Sequence, residues 1–222
     1  MSWPTKKSGE VEKLIQPILK KYERLNLTTS PLYVELKKDL QDQEWINGVY
    51  NVFHQVENAR SIFSIVSEIT VQKNDQKVLE MFSEIDAAKW LIKGAIDGKY
   101  NRIVYLKKDT SGKSPDFVTY REGEILPIEV KMLSPQDVAE NRFISKVIAK
   151  INDEAIHQLI EFKKKNQISR GIILFWTHQP IRLENVTYDE LNQSLNQKVI
   201  KSDFPLCVFV TIYKHGIWDF YL

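Results

Sequence analysis

The chain has 222 residues, of which 43% are hydrophobic and 27% are charged, and its formal net charge is +2. These values are typical of a globular protein with one domain and an appendage, or with two small domains, and they exclude general disorder. The near-neutral charge does not by itself indicate a nucleic-acid partner. The single cysteine, Cys207, excludes an intramolecular disulfide and a cysteine-based zinc site. No signal peptide is recognised and no apolar run nears the roughly 18 residues of a membrane helix, so we expect a cytoplasmic protein without membrane contact.

Residues 1–72 are predicted to be a helical region. Apolar residues recur at the three-and-four spacing of one helix face, at Val11, Leu14, Ile15, Ile18, Leu19 and Tyr22. Ser30-Pro31 is typical of a helix start, with serine as the N-cap and proline in the first turn. From Asp42 the apolar pattern continues to Ile69, which predicts a longer helix there.

Residues 73–222 have the composition of an α/β domain. The predicted elements are a helix at 74–96, strands at 102–108, 116–121 and 124–133, a helix at 134–165, a strand at 171–176, a helix at 188–199 and a closing hairpin. The run at 171–176 is apolar throughout, as expected for a strand that is covered on both faces. This order predicts a central sheet flanked by helices.

Two carboxylates and a lysine lie in the most strand-like stretch, residues 114–132. If Glu122-Gly123 is a two-residue turn, the numbers of paired residues sum to 245, so Asp116 faces Glu129. Because side chains alternate along a strand, Lys131 shares the face of Glu129. Directly opposed residues have Cβ atoms roughly 4.5–5.5 Å apart. The three charged groups are therefore predicted to converge, unless Pro127 shifts the register by removing a ladder hydrogen bond.

Two opposed carboxylates repel each other, and burial adds a desolvation cost. A hard divalent cation compensates both, because carboxylate oxygens and water are the ligands that Mg²⁺ prefers. A lysine beside this pair can stabilise an anion or orient an attacking water. Carboxylates, cation and lysine together indicate a site that hydrolyses a phosphodiester. The alternative interpretation is a strand pair with incidental charges.

The same residues resemble the signature of the PD-(D/E)XK nuclease superfamily. Pro115-Asp116 is followed, after twelve residues, by Glu129-Val130-Lys131. The predicted order of helix, three strands, helix and strand also matches the αβββαβ core of these restriction-endonuclease-like proteins, which have a mixed sheet flanked by helices. The resemblance implies that Asp116, Glu129 and the Val130 carbonyl hold Mg²⁺, or Mn²⁺ in its place, and that Lys131 positions the attacking water. It implies DNA as the substrate, with RNA left open, and allows a homodimer.

The resemblance also implies a further glutamate from the helix before the sheet. Of the two candidates, Glu84 interrupts an apolar row of that helix and is preferred as an additional catalytic and metal-binding residue, whereas Glu80 lies on a polar face. In the helix after the hairpin, Lys146, Lys150 and Gln158 are candidate contacts to the phosphate backbone. The second interpretation is a catalytically silent nucleic-acid-binding or assembly subunit on the same fold. A third, weaker one is a helical interaction domain for which the sheet is a scaffold.

Overall fold

The computed structural model describes residues 5–68, 74–106, 114–133, 142–176, 186–212 and 216–222. The fold is α/β, with helices packed against a mixed sheet of six strands. Within the described ranges, no helix is long and apolar enough to cross a membrane.

The N-terminal region is helical, as predicted, but its last predicted helix is shorter. The elements are α1 (Thr5–Arg24), α2 (Pro31–Asp39), α3 (Gln43–Gln55) and a 3₁₀ segment (Ala59–Glu68). The Asp42 carboxylate caps α3 by accepting a hydrogen bond from the Glu44 N–H at 2.8 Å. The helix predicted from Asp42 towards Ile69 ends early because Val56 is extended and Glu57 bridges to Val104 in the sheet. Ile69 itself lies outside the described residues.

The sheet follows the chain order, from one edge to the other. Its strands are β1 (Arg102–Tyr105), β2 (Phe117–Arg121), β3 (Glu124–Met132), β4 (Gly171–Trp176), β5 (Leu206–Ile212) and β6 (Gly216–Tyr221). The pairs among β1, β2 and β3 are antiparallel, β3 to β4 and β4 to β5 are parallel, and the closing β5–β6 pair is antiparallel. The mixed sheet that the sequence predicts is therefore present.

The remaining helices are α4 (Asn74–Ile96), α5 (Phe143–Lys150), α6 (Ile156–Lys163) and α7 (Tyr188–Lys198). A π-helical segment, Ile151–Ala155, joins α5 to α6. The bounds of α4 and β4 agree with the predicted ranges 74–96 and 171–176. The start predicted for the helix at 134–165, and the last residues of the strand predicted at 102–108, lie outside the described residues.

Each face of the sheet carries its own hydrophobic cluster, because side chains alternate along β3. Ile128 and Val130 belong to the cluster that includes α4 and the N-terminal helices. Leu133, on the opposite face, belongs to the cluster formed with α5, α6 and α7. The first cluster contains side chains from both sides of residue 72, so the two predicted regions share a core.

The β2–β3 hairpin has the predicted turn and register. Glu122 and Gly123 both have positive φ, 48° and 87°, as a two-residue type I′ turn requires. The pairs run from Arg121 with Glu124 to Phe117 with Ile128, and each pair sums to 245. Pro127 does not shift the register of β2 with β3, because its nitrogen points away from β2. Its missing N–H is not needed by β4 either, since the pairing of β3 with β4 begins only at Ile128.

Candidate functional site

Three buried carboxylates mark the site. Among the side chains that the structure describes, the buried charged ones are Glu84, Asp116 and Glu129, at 9%, 0% and 0% exposure. These are the three acidic residues that the sequence predicts for the site. A buried carboxylate is costly unless cations or hydrogen-bond donors compensate it, so the local contacts decide what the cluster can do.

Asp116 lies at the point where β2 and β3 stop pairing. It immediately precedes β2, and its Oδ2 accepts a hydrogen bond from the Val130 N–H at 2.8 Å. The predicted pairing of Asp116 with Glu129 is thus one step beyond the last backbone pair, and the Asp116 side chain reaches β3 instead. Because the N–H and C=O of one strand residue point to the same side, the Val130 carbonyl also faces the strand end that carries Asp116.

Lys131 is held by three acceptors, one each from β3, the π-helical segment and α6. Its Nζ lies 2.9 Å from Glu129 Oε1 and 2.9 Å from Glu154 Oε2, and it donates a hydrogen bond to Gln158 Oε1 at 3.2 Å. Burial lowers the pKa of the Lys131 ammonium, but Glu129 and Glu154 outweigh that effect and leave the pKa above its ordinary value. Lys131 is therefore a cation at neutral pH, suited to stabilising negative charge and unable to accept a proton.

Glu84 is connected to the site by a hydrogen bond from Tyr105. The Tyr105 hydroxyl donates a hydrogen bond to Glu84 Oε2 at 2.8 Å. Burial raises the pKa of that hydroxyl strongly, and the negative charges of Glu84, Asp116 and Glu129 raise it further. Tyr105 is thus close enough to all three carboxylates to experience their charges, and it remains a neutral donor. The alternative candidate, Glu80, is only half-buried.

Tyr105 and Glu154 are the site residues that sequence reasoning missed. Tyr105 pairs with Phe117, the residue after Asp116, so an antiparallel β1–β2 pairing would have placed it near the site. Glu154 stands four residues before Gln158 and therefore shares its helix face, which was the available signal. Of the predicted phosphate contacts, Gln158 touches Lys131, whereas Lys146 is exposed and Lys150 half-buried on α5.

The donor set suits a hard cation. No group of three His, Cys, Asp or Glu side chains within the described ranges is spaced to enclose a metal ion. A cation here would therefore rely on the carboxylates of Asp116 and Glu129, the Val130 carbonyl and water. Mg²⁺ is commonly bound in this way, by one or two carboxylates with several retained waters. The oxygen chemistry of the site fits such an ion.

Comparisons of the chain with protein-family models, with curated proteins and with solved structures found no match. The family resemblance therefore depends on the residues of the motif and on their placement.

Proposed function

We propose that this protein is a metal-dependent nuclease with a restriction-endonuclease-like core, acting most simply as a DNA endonuclease in restriction, repair or defence. The observation that carries the proposal is the burial of Glu84, Asp116 and Glu129, with Asp116 Oδ2 accepting the Val130 N–H and the Lys131 ammonium 2.9 Å from Glu129. A purely structural strand pair gains nothing from three desolvated acids, because neutral side chains would pack at lower cost.

Each residue then has a defined task. Asp116, Glu129 and the Val130 carbonyl would hold Mg²⁺ or Mn²⁺, and Glu84 would support the site through its hydrogen bond from Tyr105. The bound ion would supply polarisation of the phosphoryl group and a more acidic water. Lys131, as a fixed cation, would stabilise the negative charge that develops on the phosphate as water attacks phosphorus and a P–O ester bond breaks.

The surrounding surface supplies basic groups for a nucleic acid. Lys146 and Lys150 lie one helical turn apart on α5, and α5 continues through the π-helical segment that carries Glu154 to Lys131. A substrate phosphate at Lys131 would therefore lie beside this helical run, and we assign Lys146 and Lys150 to flanking phosphates. A homodimer would provide two such sites for cleavage of both strands of a duplex.

The test is a panel of duplex, single-stranded and branched DNA and of RNA, incubated with the protein in Mg²⁺, Mn²⁺ or EDTA. We expect cleavage that requires metal and is lost in Asp116→Ala and Lys131→Ala, while the exposed-lysine control Lys38→Ala cleaves as the wild type does. Circular dichroism would verify that each variant is folded. Cleavage at the wild-type rate in both site variants would refute the proposal.

A catalytically silent binding or assembly subunit on the same fold is the second candidate. The contacts of Lys131 favour it, because Glu129 and Glu154 already neutralise the ammonium, and Gln158 accepts a further hydrogen bond from it, without a metal or a phosphate. Calorimetric titration with Mn²⁺ separates the two functions. A nuclease of this kind binds the ion in the wild type and loses it in Asp116→Asn, whereas a silent subunit binds none.

A further inference from the structure

A second concave site lies near the start of β3, whereas the carboxylates lie near its end. It is a cavity of about 730 Å³ between the C-terminal part of α4 and the strands β2 to β6. Leu126, Ile172 and Cys207 form its floor, on the face of the sheet that α4 covers. Its volume falls within the roughly 300–1,000 Å³ typical of sites for small organic ligands.

Positive charge exceeds negative charge in the lining. The cavity is lined by four basic side chains, Lys93, Lys99, Arg121 and Arg170, and by three acidic ones, Asp97, Glu124 and Asp219. Within the part of the chain that the structure describes, none of the four basic groups forms an ion pair with these acids. These acids therefore do not pair with the four cations at ion-pair distance, although Arg170 also acts on the Cys207 thiol at the floor of the cavity.

Arg121, Arg170 and Tyr100 line the same cavity. Burial raises the pKa of the Tyr100 hydroxyl, and the positive charges of Arg121 and Arg170 act on it in the opposite direction. Arg121 ends β2 and Arg170 immediately precedes β4, so different elements bring them together. Two like charges that line one cavity repel each other, and an anion bound in that cavity relieves the repulsion.

Aromatic rings from α4, from the segment after it and from β5 line the cavity. Trp90 packs on Phe209 with ring centroids 5.5 Å apart, and both are only partly buried. The Tyr100 ring lies against Gly94, where an added Cβ would come within 2.8 Å of Tyr100 Cε2. Gly94 therefore lets this ring lie close to α4. Rings beside guanidinium groups are the combination that recognises a planar base attached to a phosphate.

We propose that this cavity is a second ligand site, which binds a nucleoside monophosphate with its base against Trp90 and Tyr100 and its phosphate between Arg121 and Arg170. A free nucleotide fits this cavity better than a polynucleotide, because α4 and the strands bound it on two sides. Glu124 at the cavity and Glu129 at the carboxylate site are five residues apart on β3, which is about 16 Å along an extended strand. The two sites are therefore distinct, and the second does not depend on the proposed nuclease function.

Isothermal titration of the full chain tests the site, with four nucleoside monophosphates, adenosine, inorganic phosphate and a short oligonucleotide as separate probes. We expect at least one monophosphate to bind more tightly than adenosine or inorganic phosphate. Arg121→Ala and Arg170→Ala should each weaken binding by about tenfold or more, since a hydrogen bond to a charged group contributes about 1.5–3 kcal/mol. The exposed-arginine control Arg142→Ala should bind as the wild type does.

Quenching of tryptophan fluorescence provides a second readout, because Trp90 lines the cavity. Three results would overturn the proposal. These are no binding of any monophosphate at millimolar concentration, equal affinity for inorganic phosphate and nucleotide, or binding of the oligonucleotide alone. Both arginine side chains are exposed, so loss of binding in these variants can be separated from unfolding by circular dichroism.

Discussion

Neutralising Asp116 should stabilise the metal-free protein while removing its response to metal. The Asp116 carboxylate is fully buried, and two further buried carboxylates act on the same Tyr105 hydroxyl. In Asp116→Asn the amide oxygen still accepts the Val130 N–H, so the hydrogen bond at 2.8 Å is retained and one negative charge is removed. We estimate a gain of about 2 kcal/mol in EDTA from reduced desolvation and repulsion. For a chain of this length, that raises Tm by about 4–8 °C.

Metal should raise the Tm of the wild type and leave the Tm of Asp116→Asn almost unchanged. An ion that binds the folded wild type alone adds about 2.7 kcal/mol to its stability at a concentration 100 times Kd. This corresponds to an increase in Tm of about 5–11 °C. Asp116→Asn lacks one of the ligands, so its Tm should hardly change between EDTA and saturating Mn²⁺. Differential scanning calorimetry in the two buffers measures both effects without any substrate.

The matched control is Asp153→Asn, which makes the same chemical change at an exposed position in the segment that carries Glu154. It should unfold at the wild-type temperature in EDTA and show the wild-type shift in Mn²⁺. The reasoning fails if Asp116→Asn is less stable than the wild type in EDTA, or if it gains as much from Mn²⁺.

Two further substitutions and one thiol reaction test individual residues. Glu154→Gln removes one of the two carboxylates that hold Lys131, and we expect it to slow metal-dependent cleavage by roughly fivefold, about 1 kcal/mol, at unchanged Tm; a wild-type rate would contradict this role. Gly171→Ala would place a Cβ 2.7 Å from the Phe204 ring, so it should lower Tm by several degrees at a cost of about 1–3 kcal/mol, and an unchanged Tm would show that the packing adapts. Burial raises the pKa of the Cys207 thiol, so little thiolate forms at pH 8 and its reaction with a disulfide reagent should be slower in the folded protein than in the unfolded one, although the thiol lies on the floor of the cavity; equal rates would contradict this.

The hairpin could be predicted from the sequence because its determinants are local. Glu122-Gly123 supplies the positive φ angles of a two-residue turn, and the turn then fixes every pair up to Phe117 with Ile128. Period-two alternation places Lys131 on the face of Glu129, and the two side chains form an ion pair. Pro127 could not shift this register, since its missing N–H lies on the side where β3 is still unpaired.

The missed features depend on contacts between distant parts of the chain. The apolar pattern after Asp42 is helical, yet α3 ends at Gln55 because the edge strand β1 offers hydrogen bonds to Glu57. The Glu57 N–H donates to the Ile103 carbonyl at 3.0 Å, and the Tyr105 N–H donates to the Glu57 carbonyl at 2.9 Å. Periodicity along one segment carries no information on such a partner. The spacing of Glu154 and Gln158 indicates a shared helix face, but the contact of Glu154 with Lys131 depends on how the π-helical segment packs beside β3.

The candidate site lies where the pairing of β2 with β3 ends, after Phe117 and Ile128. Continued pairing of β2 with β3 would place Pro115 opposite Val130, since these numbers also sum to 245. Proline has no N–H, so it cannot donate to the Val130 carbonyl, and the Asp116 side chain takes the Val130 N–H instead. Two carboxylates and one carbonyl oxygen are thereby left at a strand end rather than within a ladder. Pro115 thus ends the pairing of β2 with β3, and Asp116 supplies a carboxylate ligand at the place where the pairing ends. This gives a physical reason for these two residues to be adjacent.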